Sequence, residues 1–164
     1  MDTNRFFIFI YLISLVAFGQ DERSITLVNS KFSVKPFGEK ITPLNLNKLV
    51  IGKMTTEIRI IQNRNSQNKD TLLIYNTTGV EFAFLKSKGE TFFYGSTIEI
   101  PDVKLAMGIR VGLSKNEFLK IFNINNAESQ VDKVVITDES EFCYNYFYFE
   151  KEKLTKIILG GCID

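Results

Sequence analysis

Apolar residues recur at helical spacing behind a complete start signal in one stretch, Gly108 to Phe122. There Phe118, Ile121 and Phe122 share a helical face, and Ser114 and Glu117 stand three positions apart ahead of them. This spacing is a capping box: the serine hydroxyl accepts from the glutamate backbone N–H, and the glutamate carboxylate accepts from the serine N–H. Leu113 and Phe118 flank the box as a hydrophobic staple, and Gly112 lets the chain turn sharply before it. The pattern predicts a helix over Ser114 to Phe122 whose structural start is Gly112, Ser114 and Glu117.

Elsewhere the apolar period is two. Ser24 to Asn29 and Lys31 to Pro36 read as short extended segments, followed by a loop punctuated by Pro36, Gly38 and Pro43. Leu49 to Ile61 can be laid over the helical stretch with Gly52 on Gly112, Glu57 on Glu117 and Ile58 on Phe118, although Met54 stands where the serine cap would be. Its β-branched residues alternate with Glu57 and Arg59, which makes a strand nearly as good a reading. Gln62 to Asp70 is polar and aperiodic, a loop. Strands follow at Thr71 to Tyr75 and Val80 to Leu85, with Lys88-Gly89 as a hairpin turn into Thr91 to Tyr94, then at Thr97 to Ile100. Beyond the helix and an Asn-rich loop at 123–126 come strands at Val131 to Thr137, Phe142 to Glu150 and Lys153 to Leu159.

Each half therefore places a helix candidate ahead of an antiparallel meander. The expected fold class is α+β, an antiparallel sheet with one or two helices packed on one face. Two tandem helix-plus-meander halves, about 20–100 and 101–164, would make up a single domain spanning 20–164.

Composition changes this picture at the ends of the chain. Arg5 precedes an apolar run from Phe6 to Val16, and Ala17-Phe18-Gly19 puts small residues where a signal peptidase cuts, so residues 1–19 read as a signal peptide. The run is shorter than the ~20 residues a membrane-spanning helix needs, so no stable membrane span is expected once it is cleaved. The expectation is export to the periplasm or the cell exterior. Removing 1–19 takes away one Asp and one Arg, and the formal charge stays at +1. A balanced charge gives no basis for a nucleic-acid partner, which demands a basic stripe. Lys151, Lys153 and Lys156 alternate with Glu150 and Glu152 and read as a solvated hairpin tip.

Export also gives the two cysteines a meaning, because an even pair in an oxidising compartment reads as a disulfide. A hairpin turning around Glu152 and Lys153 would bring Cys143 opposite Cys162 and close a loop of about 20 residues.

The chain has no histidine, which excludes Ser-His and Cys-His nucleophiles and histidine-based zinc sites. No phosphate loop or dinucleotide fingerprint is present. Asp138, Glu139 and Glu141 cluster between two strands, either as acidic chemistry at an edge or as a charged turn; their spacing fits no calcium loop and favours the turn. The expectation is a non-enzymatic protein with no catalytic residues, metal or cofactor. Asn76-Thr77-Thr78 is a glycosylation sequon in a turn before Gly79.

Phe142, Tyr144, Tyr146 and Tyr148 share one face of their strand, and Cys143, Asn145, Phe147 and Phe149 share the other. The tyrosines either roof the core beneath the helix or form a binding face, since phenol rings offer contact area with a hydroxyl that stays wet.

Gly112-Leu113-Ser114-Lys115-Asn116-Glu117-Phe118, followed by a meander ending in Tyr146-Phe147-Tyr148-Phe149-Glu150 and Leu154-Thr155-Lys156-Ile157, is similar to the repeat shared by secreted β-lactamase inhibitor proteins and small outer-membrane assembly lipoproteins. The resemblance is clearest over residues 108–159. This chain lacks the Gly-x-Pro that closes the helix in that group, and no lipid-attachment cysteine follows the apolar run. The group works by binding other proteins, so the resemblance implies a protein partner for the sheet, with inhibitor-like or envelope-associated action. The alternative reading is a small-molecule or lipid carrier whose aromatic strands line a cavity.

Overall fold

Alternating β-branched and aromatic residues build two meanders, and one sheet joins them. The computed structural model describes residues 23–62, 69–124 and 130–162. In chain order the elements are β1 (Ser24–Val28), α1 (Ser30–Val34), a 3-10 segment (Pro43–Lys48), β2 (Thr55–Gln62), β3 (Lys69–Thr77), β4 (Val80–Ser87), β5 (Glu90–Ile98), a 3-10 turn (Ala106–Gly108), α2 (Lys115–Ile121), β6 (Lys133–Thr137), β7 (Tyr144–Glu150) and β8 (Lys153–Gly160). The eight strands run in the order β1-β6-β7-β8-β5-β4-β3-β2. All pairs are antiparallel except β1 with β6, which is parallel. Among the described residues no helix is long and apolar enough to cross a membrane.

Tight turns set the hairpins. Lys88 and Gly89 both take positive φ between β4 and β5, as do Lys151 and Glu152 between β7 and β8, the twist that two-residue hairpins favour. The β7–β8 turn thus lies one residue earlier than Glu152-Lys153.

The core lies on one face of the sheet. Val80, Phe82 and Phe84 of β4, Phe147 and Phe149 of β7, and Leu154, Ile157 and Leu159 of β8 are buried there together with Phe32 of α1, Leu46 of the 3-10 segment, and Phe118 and Leu119 of α2. Phe118 stands with its ring centroid 4.8 Å from Phe147 and 5.1 Å from Phe149. The predicted capping box is present: Ser114 Oγ accepts from Glu117 N at 3.2 Å, and Glu117 Oε2 accepts from Ser114 N at 3.2 Å. Hydrogen bonding to Ser114 holds the Glu117 carboxyl below its usual range.

The strap that precedes the helix is bonded to the β7–β8 hairpin. Gly112 N donates to Leu154 O, Leu154 N to Leu113 O and Lys115 N to Glu152 O, at 2.7, 2.9 and 2.9 Å. Lys115 is 4% exposed, and its Nζ meets Glu152 Oε1 at 2.8 Å. The hairpin tip, expected to be only solvated charge, therefore also fastens the helix.

Other expectations need correction. Residues Lys31 to Pro36 are not extended: Asn29 Oδ1 accepts from Phe32 N at 3.1 Å and caps α1. Over Leu49 to Ile61 the strand reading holds from Thr55, and the helical pieces of that half come earlier, as α1 and the 3-10 segment that starts at Pro43. The two strands expected at Thr91 to Tyr94 and Thr97 to Ile100 are one, β5, which ends at Ile98 and whose register shifts opposite Ala83 and Phe84. Asn76 lies within β3, paired with Thr55 and Glu81, rather than in the turn. The expected loop at 62–70 yields Gln62, Lys69 and Asp70 to strands. Residues 63–68, the signal peptide at 1–19 and positions 125–126 of the Asn-rich loop lie outside the described residues.

Cys143 and Cys162 form the expected disulfide, with Cα atoms 4.8 Å apart and a sequence separation of 19. This packing sets two expectations for stability. Phe118→Ala should cost about 3–5 kcal/mol in urea unfolding, because the ring fills space between α2 and β7. Replacing both cysteines by serine should cost about 3 kcal/mol in the same measurement through the chain entropy that the closed loop removes from the unfolded state.

Candidate binding face

β7 divides its residues between two environments. Asn145, Phe147 and Phe149 are buried on the core side, whereas Tyr144, Tyr146 and Tyr148 are half-buried on the other face. The tyrosines therefore do not roof the core beneath α2. The buried apolar side chains of both helices and of the 3-10 segment all join the opposite face.

Cross-strand register lays out the neighbours of each tyrosine. Tyr148 sits between Lys133 of β6 and Lys156 of β8, and Tyr146 between Val135 and Ile158. Tyr144 is opposite Thr137. The rings of Tyr144 and Tyr146 stack, with centroids 6.3 Å apart and an interplanar angle of 17°. Lys133 Nζ stands over Tyr146 and Tyr148 at 5.9 and 5.6 Å from their centroids, close enough for cation–π attraction. Lys156 Nζ meets Glu99 Oε1 at 2.8 Å, which raises the lysine above its ordinary value. Partial burial, reinforced by the Glu141 carboxylate, pushes the Tyr144 phenol up from its ordinary value.

Beside Tyr144 the face drops. Gly160 and Gly95 pair directly, and Ala83 continues the row. A Cβ on Gly160 would stand 2.7 Å from Tyr144 O, and one on Gly95 would stand 2.8 Å from Leu159 O, so close backbone approach demands glycine at both positions. The tyrosines thus edge a strip with little side-chain relief.

Phe142 lies before β7, 69% exposed, and its backbone N–H donates to Asp138 Oδ1 at 3.0 Å. Asp138 organises this turn: Oδ1 also accepts from Cys143 N at 2.9 Å, and Oδ2 accepts from Ser140 Oγ and from Ser140 N, the latter at 3.3 Å. These bonds, with the Ser140 hydroxyl first, lower its pKa to about 2. Asp138 is buried while Glu139 and Glu141 are exposed, and among the described residues no three acidic or cysteine side chains gather as a metal site requires. The three carboxylates form a turn whose aspartate is committed to backbone and serine donors. Gly112, Ser114 and Glu117 are placed away from this face, in the strap and the start of α2.

Residue types alone did not single out Lys133, Gly95 or Gly160. Their role in the face depends on register, although a lysine just ahead of the Val-Val-Ile core of a strand was a readable cue. A cavity of about 280 Å³ lies elsewhere, where the segment after α1 faces the first half of β5 and the end of β8; Lys35, Phe37, Lys40, Ile41, Phe92 and Phe93 line it. Comparison of the chain with protein families, with curated proteins and with solved structures finds no match in any of the three.

Asp138 generates a pH prediction. Its folded pKa is depressed from 3.8 to about 2, so its charge stabilises the fold above the unfolded value, and that contribution is lost as pH falls through the folded value. Asp138→Asn should melt at a lower temperature than the wild type at neutral pH. The gap should close between about pH 4 and pH 2. A gap that stays constant across that window would contradict the assignment.

Proposed function

We propose that the protein is an exported, non-enzymatic binding module that engages another protein through the sheet face bearing Tyr144, Tyr146 and Tyr148, with Phe142 at its end. The observation that carries this reading is the placement of three half-buried tyrosines on the side of the sheet opposite the helices, two of them stacked and two beneath Lys133. Rigid phenol rings with reachable hydroxyls are favoured at protein interfaces because they present large area at small entropic cost. Export accords with the Cys143–Cys162 bridge and with the apolar leader at 1–19. The architecture also accords with two tandem units. In each half a helical segment precedes a meander, β2 to β5 in one and β6 to β8 in the other, and the halves meet where β5 pairs with β8. That arrangement supports the resemblance to the inhibitor and assembly-protein repeat.

A second reading, a carrier of a small apolar molecule, rests on the cavity lined by Phe37 and Phe93. Ser33 lines it too, and among the described residues its buried hydroxyl has no hydrogen-bond partner. Aromatic core strands do not supply such a space, since Phe147 and Phe149 pack directly on Phe118.

Tyr144→Ala combined with Tyr146→Ala should abolish crosslinked capture of the partner from envelope and secreted fractions, with circular dichroism and melting temperature close to wild type. Loss of folding in the double variant would return these side chains to a structural role. Native mass spectra that show a bound apolar molecule, with capture unaffected, would favour the carrier.

A further inference from the structure

β2 ends the sheet, and among the described residues no strand pairs with its outer edge. Every one of its eight residues is exposed, Ile58 at 65% and Ile60 at 71%. It also pairs with β3 over its whole length without a register shift, so its free edge is a regular row of backbone donors and acceptors. Edges of this kind are normally blunted by charged side chains, lysine above all, by proline or by a bulge; Thr-Thr-Glu-Ile-Arg-Ile-Ile-Gln contains no lysine or proline, and its two charges, Glu57 and Arg59, are of opposite sign and paired. Threonine and isoleucine dominate it, as residues that favour pairing do.

Its sequence is self-complementary. If two copies of β2 pair antiparallel with Ile58 facing Ile58, then Glu57 of each faces Arg59 of the other, Thr56 faces Ile60, and Thr55 faces Ile61. Within one chain Arg59 Nε already meets Glu57 Oε1 at 2.5 Å on the same face. The pairing would therefore set four charges in an alternating square, with Ile58 and Ile60 of both copies together on the other face. A two-fold axis of this kind makes the same patch serve both partners, which closes the assembly at two. We infer that β2 is a self-association edge: a second copy of this chain docks on it antiparallel, centred on Ile58, to give one continuous sheet of two chains. The tyrosine faces of both copies then lie on the same side of that sheet. The inference stands independently of what those faces bind.

The register is testable by charge reversal, read by sedimentation over a range of concentrations. The wild type should reach twice the chain mass. Glu57→Arg opposes arginine to arginine, and Arg59→Glu opposes glutamate to glutamate, so each should raise the dimer dissociation constant by about tenfold or more. Combining both changes in one chain should restore the dimer. Mixing the two single variants should yield the heterodimer, because both arginines of the Glu57→Arg chain then face the two glutamates of the Arg59→Glu chain. Ile58→Lys, which puts like charges on the axis, should leave monomer with an unchanged circular dichroism spectrum. A wild type that sediments as a monomer at every concentration overturns the inference. So does a dimer indifferent to these substitutions, since its contact would lie elsewhere.

Discussion

The hydrogen bonds between the strap at Gly112 to Lys115 and the β7–β8 hairpin are the constraint on which the rest of the structure depends. They place the start of α2 at one point over the sheet, and from there Phe118 reaches Phe147 and Phe149. The helix has just seven residues, too few to persist in water by itself. Its stability is borrowed from the cap at one end and from tertiary packing along its length. Lys115 illustrates the coupling: its stem is buried, and its charge is answered by Glu152 at the hairpin turn.

Among the described residues both helices and the 3-10 segment pack on one face, so within that part of the chain the other face of the sheet has to manage contact with water through its own residues. Along β7 it does so with phenols, flanked by lysines on β6 and β8. Rings there are neither core nor plain surface. They are half-buried beside Val135 and Thr137, which is why the position of the helices decides the meaning of the tyrosines. The turn held by Asp138 fixes the start of that strand and, through Cys143, the anchor of the disulfide.

Local signals were legible where they were self-contained. Ser114 and Glu117 satisfy each other within one helical turn, and the alternation from Cys143 to Phe149 separates two faces without reference to the remainder of the chain. The Cys143–Cys162 pairing was readable because a single hairpin brings the two together. By contrast, α1 has only Asn29 to announce it, and the alternation of Phe32 with Val34 imitates a strand. Gly95 and Ser96 interrupt β5 in sequence but not in space, because both stay in register opposite Ala83 and Phe82, and the bulge falls just before them, between Phe93 and Gly95. Which face the helices cover is decided by packing between distant segments, and so are the partners of β1 and the floor of glycines beside Tyr144. No local pattern encodes these.

The parallel pairing of β1 with β6 has a kinetic meaning. Ser24 registers with Lys133, so the first strand of the fold finds its place only beside one of the last. Closing so long a loop costs entropy before any contact compensates it, and pairings between remote segments form slowly. The two meanders can form from near neighbours in sequence, and β1 must wait for β6. Until then the chain carries a loose leading segment beside an unsealed sheet edge, and the time spent in that state sets how long the nascent protein stays vulnerable to proteolysis and to pairing with the wrong strand.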